Sequence, residues 1–202
     1  MQSKKEQVKQ EIETAALHVF FEQGYIQARM SDIAKRCGIS TGNIYTYFVN
    51  KEELFYTVVP SALVDRLNEL LVQAIRKYNE RDSKQRFSEV SDPLLDLVID
   101  ELMASRQHIV ILLEKSTGTL YEGYKERLIQ LMIDTKQPYI KPGHKHYALN
   151  QAENDLLMRI VSASMVDMFL NVLKSDLNAE SRFALLQALN VFRLSGVNGL
   201  NE

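Results

Sequence analysis

Only one cysteine, Cys37, occurs in 202 residues, so an internal disulfide framework is excluded and a reducing compartment is expected. Proline and glycine are scarce, at four and eight, while Leu, Ile, Ala, Glu and Lys are abundant. That balance favours an all-α fold. Long apolar runs are missing too: none approaches the roughly 18 residues that span a bilayer. Ser3-Lys4-Lys5-Glu6 is followed by no apolar stretch of the kind a signal peptide needs, so a cytoplasmic protein with no membrane partner is expected. No sign of charge dominates. Net charge is −2, with seven Lys and Arg against six Asp and Glu in residues 1–52 and seventeen against twenty beyond. Net charge alone therefore does not point to nucleic acid. Glycine-rich phosphate loops, nucleophile elbows and two-histidine metal helices are absent, so neither an enzyme nor a cofactor is expected. His144 and His146 form a His-x-His in a Pro/Gly loop, without a Cys or carboxylate at useful spacing, and no metal site is assigned there. A hydrophobic share of 46% and a charged share of 25% describe an ordinary globular chain of one or two domains.

What is present is concentrated between Gly24 and Leu54. Met30, Ile33, Ala34 and Cys37 stand at i, i+3, i+4 and i+7, one apolar helical face, which makes Cys37 a packing residue. Gly38 suits the left-handed end of that helix. Ser40 is a good N-cap for the next, in which Ile44 and Phe48 share an inward face. A helix, a short turn containing glycine and a second helix make the DNA-reading helix-turn-helix. Lys4, Lys5, Lys9, Arg29, Lys35, Arg36 and Lys51 cluster around it.

Asp32-Ile33-Ala34, then Gly38-Ile39-Ser40, Ile44-Tyr45-Thr46-Tyr47-Phe48 and Asn50-Lys51-Glu52-Glu53-Leu54-Phe55 resemble the N-terminal domain of TetR-type transcriptional regulators. The resemblance covers residues 8 to 56; the remainder is similar only in length and helical character. It implies a ligand-responsive repressor that binds double-stranded operator DNA as a homodimer. A recognition helix places its N-terminal side chains on base edges, here Ser40, Thr41, Gly42 and Asn43. By resemblance, Tyr45, Thr46, Tyr47 and Lys51 complete the contacts, Tyr47 and Lys51 mainly on phosphates. The family usually has Thr or Ser where this chain has Arg29, whose guanidinium could reach a phosphate instead. The expected organisation is a DNA-binding domain over 1–50, with the motif at about 31–49, and a ligand-binding and dimerisation domain over 51–202.

Elsewhere the pattern predicts helices. Ser3 with Glu6 starts the first, whose stripe of Val8, Ile12, Ala15, Ala16, Val19 and Phe20 runs toward Gly24. Asn50 and Glu53 open a fourth, which continues to Ile75 with a kink or break near Val59 caused by Pro60. Residues 79–92 read as a loop or a frayed helix end, Asp92-Pro93 as a helix start, His108–Leu113 as an interior helix, and Leu120–Ile133 as a helix after a bend. Pro138–Tyr147 reads as a surface loop. Asn150 and Glu153 cap a helix to about Leu173, and Asn178 opens a last one that Gly196 closes. Both final helices are apolar nearly all round, so each needs a cover on two sides, which points to a homodimer through this pair. Asp167, Ser162 and Ser164 interrupt the first of them. Asp167, His108, Glu114, Tyr121 and Tyr124 are the candidate contacts for a small amphipathic organic effector.

Overall fold

The computed structural model describes residues 4–80, 93–139 and 149–201. The fold is all-α, an N-terminal helix-turn-helix domain followed by a larger helical region, with no strand among the described residues. Its helices are α1 (Lys4–Gln27), α2 (Met30–Cys37), α3 (Thr41–Ile44), α4 (Lys51–Val58), α5 (Ser61–Glu80), α6 (Pro93–Ala104), α7 (Arg106–Glu114), α8 (Tyr124–Lys136), α9 (Gln151–Lys174) and α10 (Ala179–Asn201). They sort into two compact units, Met1–Arg66 with Ser105–Lys125, and Leu67–Ala104 with Glu126–Glu202.

In the first unit, α1 packs on α2, α4 and α7. It buries Ile12, Ala15, Ala16, Val19 and Phe20, the stripe expected from the sequence. Helical backbone geometry stops at Gly24, where φ 76° and ψ 164° lie in a region essentially reserved for glycine. α2 buries Met30, Ile33 and Ala34 and ends at Gly38, whose φ of 69° turns the chain. The N–H groups of Gly38 and Ile39 then donate to the carbonyls of Lys35 and Ala34, satisfying two open helix-end acceptors. Cys37 is half-buried beside the Glu11 carbonyl, and burial pushes its thiol above the ordinary range, as suits a packing residue. Pro60 lacks an N–H and Val59 leaves helical geometry at φ −118°, ψ 74°, so the anticipated break separates α4 from α5. α7 buries Ile109, Val110, Ile111 and Leu112 at its centre, the interior helix expected there.

In the second unit, α10 packs on α9 and α6. The capping box that opens α9 is present: the Asn150 carboxamide accepts from the Glu153 N–H, and the Glu153 carboxylate accepts from the Asn150 N–H.

Three expectations change. The helix expected from Leu120 begins instead at Tyr124, because Gly118 and Gly123 take φ of 81° and 72° and leave Leu120 on the surface. Gly196 does not close α10, which continues to Asn201. A single glycine costs a helix only about 1 kcal/mol, less than continued hydrogen bonding returns. α5 ends with Asn79 and Glu80, the start of the stretch expected to be a loop or a frayed helix end. Finally, α9 is long and apolar enough to cross a membrane by length and composition, because Ser162, Ser164 and Asp167 dilute its hydropathy only locally. Its packing on α10 covers part of that surface. The expectations for Ser3, residues 81–92 and residues 140–148, including His144 and His146, lie outside the described residues.

Gly24 provides a direct test of this framework. An added Cβ would meet the Lys115 carbonyl at an ordinary 3.5 Å, so the cost of Gly24→Ala is in the backbone rather than in a clash. Urea denaturation should show a loss of about 1–3 kcal/mol. An unchanged midpoint would mean that the chain can turn here without a positive φ.

Candidate nucleic-acid interface

The turn from Ser40 to Asn43 is held by local bonds that leave its outer surface open. The Ser40 hydroxyl accepts from the Asn43 N–H at 3.2 Å, capping α3 as its residue type predicts. After Ile44 the helix tightens, and the Tyr47 N–H donates to the Ile44 carbonyl at 2.8 Å. Ile44 and Phe48 are buried, fixing the inner face. Ser40, Gly42, Asn43 and Thr46 are exposed, Thr41 and Tyr47 half-buried, and Tyr45 is 51% exposed. Thr46 Oγ1 donates to the Asn43 carbonyl at 2.7 Å and lies 3.4 Å from Asn43 Oδ1.

Gly42 stands out on energetic grounds. It sits inside α3 without a positive φ, and an added Cβ would find only the Ser40 hydroxyl, 4.0 Å away. Nothing in the fold requires glycine here, and glycine costs about 0.5–1 kcal/mol relative to alanine in a helix.

The seven basic residues divide. Arg36 makes two 2.8 Å bonds to the Glu22 carboxylate, and this guanidinium holds Glu22 below the ordinary carboxylate range. Lys9 lies 3.9 Å from Glu13 and over the Phe48 ring. Lys51 is half-buried, its Nζ donating to the carbonyls of Tyr25 at 2.7 Å, Ala28 at 3.0 Å and Ile26 at 3.4 Å. It also stands 4.4 Å from the Tyr25 ring centroid. Partial burial pushes this ammonium below the usual lysine range. Lys4, Lys5, Arg29 and Lys35 are exposed and have neither an ion pair nor a hydrogen bond among the described residues. Arg29 occupies the N-cap position of α2 in extended backbone, with no side-chain cap bond. The first-turn N–H groups of α2 and a free guanidinium thus share one edge, a combination suited to an anion.

The expected effector residues are divided between the two units. His108, Glu114, Tyr121 and Tyr124 belong to the first unit, whereas Asp167 belongs to the second and is exposed. Tyr124 is buried, and the Tyr121 hydroxyl donates to the Val59 carbonyl at 3.1 Å. His108 is half-buried, and its Nδ1 has no hydrogen-bond partner. Desolvation pushes its imidazole below the ordinary range, against the opposing effect of a hydrogen bond to the Val58 backbone. Sequence reasoning did not foresee the threefold carbonyl contact of Lys51. The signal for it, an aromatic followed by Ile and Ala at the end of α1, is too common to read.

Residues 12–58 match the family model described as bacterial regulatory proteins, tetR family. The fatty acid metabolism regulator protein of Bacillus subtilis is 38% identical over 58 residues, 27% of this chain and 30% of that protein. The transcriptional activator FasR of Mycolicibacterium smegmatis is 34% identical over 84 residues, 42% of this chain and 37% of that protein. The chain thus spans about a third of the length of these curated relatives. A TetR-like regulator from Rhodococcus sp. RHA1 shares the fold, with TM-score 0.51 at 17% identity, over 98% of this chain and all of that one.

Lys51→Ala should reveal the cost of losing its carbonyl contacts without any DNA present. Three accepting carbonyls would lose their donor, and stability in urea should fall by about 1–3 kcal/mol. A residue serving phosphate alone would leave that midpoint where it was.

Proposed function

Through residues 12–58 the chain belongs to the tetR family of bacterial regulatory proteins, and from that premise we propose that it is a DNA-binding transcriptional regulator, a repressor released from a palindromic operator by a small organic effector. The observation that carries the reading is Gly42 at an exposed helix start, where the fold has no need of glycine, flanked by Ser40, Thr41 and Asn43. Asn43 reads an adenine edge, Thr41 bonds a base or offers its methyl to thymine, and Gly42 lets the backbone approach. Lys4, Lys5, Arg29 and Lys35 supply phosphate contacts, with Tyr45, Thr46 and Tyr47 completing the surface. Lys51 serves the interface by fixing the end of α1, with any phosphate contact added to that duty. The family members are regulators rather than enzymes, and a cytoplasmic location follows from a DNA target.

Dimerisation is part of the proposal. α9 exposes Leu156 and Ile160, and α10 exposes Leu185, Val191 and Phe192, which is 63% exposed. An apolar surface of that kind calls for a partner, and a second copy of the same helix pair matches it in character. We assign DNA reading to residues 1–50 and effector binding and dimerisation to residues 51–202. One curated relative is named an activator, so the direction of control is decided by deletion: derepression of an operator-linked reporter supports repression, and loss of expression supports activation.

Two measurements test the reading. Gly42→Ala should raise stability by about 0.5–1 kcal/mol while weakening operator binding, and Asn43→Ala should relax sequence preference by about 1–3 kcal/mol. Equal losses by Asn43→Ala on operator and scrambled DNA would remove it from base reading. Light scattering should give a dimer that engages half-sites about 34–36 Å apart, and a monomer on operator would overturn the assembly.

A further inference from the structure

The second unit holds a buried polar cluster that neither the sequence pattern nor the DNA interface accounts for. Lys136 ends α8 and is half-buried. Among the described residues its hydrogen-bond partner is the Ser162 hydroxyl, 3.4 Å away on α9. Ser162 is wholly buried. From α10, Arg193 donates through Nε and Nη2 to Asn190 Oδ1 at 3.1 and 2.7 Å, and its guanidinium lies 5.4 Å from the centroid of the buried Tyr78 ring on α5. Asn190 itself is 8% exposed. Three helices therefore contribute two half-buried cations, a buried hydroxyl and a buried carboxamide to one unit, and a fourth, α5, adds the Tyr78 ring. Among the described residues the one buried carboxylate is Glu101, on α6, a helix that packs on α10. Lys136 makes no ion pair among the described residues, with Glu101 or any other carboxylate. Desolvation, with the Arg193 charge adding to it, pushes the Lys136 ammonium down to about 8.

A half-buried ammonium with one long hydrogen bond has lost hydration that it does not recover, and an anion arriving beside it offsets that loss. We propose that Lys136 and Ser162, with Arg193 beside them, receive the acidic head group, carboxylate or phosphate, of an amphipathic effector. This deepens the effector reading above and rests on it. The head group accepts from Lys136 Nζ and the Ser162 hydroxyl, and the long-range charge of Arg193 adds to its attraction. The apolar body lies along the Leu- and Met-rich faces of α8 and α9, where Met132, Met165 and Val166 are buried. A neutral or cationic amphiphile of the same length lacks the charge-assisted bonds and leaves the ammonium unpaired.

The experiment uses the full chain with dodecanoate, dodecyl phosphate, dodecanol and dodecyltrimethylammonium below their micellar concentrations, followed by calorimetry. One or both anions should bind about tenfold or more tightly than dodecanol. Which of the two is tighter separates a carboxylate from a phosphate effector. K136M should lose that preference while retaining dodecanol binding, and K136R should keep it. Ligand-free K136M should melt at or above the wild-type temperature, because an uncompensated charge has been removed. A clearly lower melting temperature would make Lys136 a structural residue and overturn the proposal. So would equal binding of anions and alcohol, no anion binding at millimolar concentration, or an unchanged preference in K136M. Operator affinity of the ligand-free wild type is measured alongside. Its absence would overturn the regulator reading, whereas the anion preference stands or falls on the calorimetry alone.

Discussion

Phe55 is wholly buried in the first unit, and its ring meets those of Phe20, Tyr25, Tyr56 and Tyr121 at centroid distances of 5.2, 5.0, 5.4 and 6.2 Å. The two closest pairs are edge-on, the arrangement that the ring quadrupole favours. One side chain on α4 thereby ties down α1, the turn after Gly24 and the segment that follows α7. Tyr56 and Tyr121 bring their hydroxyls along: Tyr56 accepts from the Leu120 N–H at 2.8 Å and Tyr121 donates to the Val59 carbonyl. Truncating such a ring to alanine typically costs about 3–5 kcal/mol. The reading turn depends on this packing at one remove, because α1 supports α2, and α2 supports α3.

The two lysines that matter most have opposite surroundings. Lys51 is half-buried, and carbonyl oxygens at the end of α1 surround its ammonium, so its charge is well served. Lys136 meets a single hydroxyl at a long distance. Desolvation lowers the proton affinity of both, but only the first recovers the lost hydration through fixed dipoles. An ammonium satisfied by backbone holds a structure together. One left wanting is a place where an anion gains.

Covalent connectivity bears on how an effector would act. The chain passes between its two units at 66–67, at 104–105 and at 125–126, so α5 is one of three joins. The segment from Ser105 to Lys125 is built into the first unit by the bond between the Tyr25 N–H and the Lys115 carbonyl, by Lys115 on the Glu22 carbonyl, and by Gln107 on His18. Effector binding can influence the reading turn only to the extent that it distinguishes two arrangements of these joins.

Local rules carried most of the secondary structure and the location of the reading turn. Helical periodicity, Gly38 as a left-handed end, Ser40, Asn50 and Asn150 as caps, and Pro60 as a breaker all act within a few residues, so their consequences can be read along the chain. Where local signals were weak, the reading slipped: Gly196 inside α10 and Leu120 before α8 are positions at which nearby hydrogen bonds and glycine geometry outweighed composition. Side-chain commitments were another matter. That Arg36 is occupied by Glu22 and Lys51 by α1 carbonyls, while Lys4, Lys5, Arg29 and Lys35 stay free, depends on groups up to 26 positions away. The cluster of Tyr78, Lys136, Ser162 and Arg193 spans still longer separations, and no spacing rule links residues on four different helices. Amino-acid order determined which segments are helical and where the helix-turn-helix lies; only tertiary packing decided which charges are left over, because burial and partner distance belong to the folded chain.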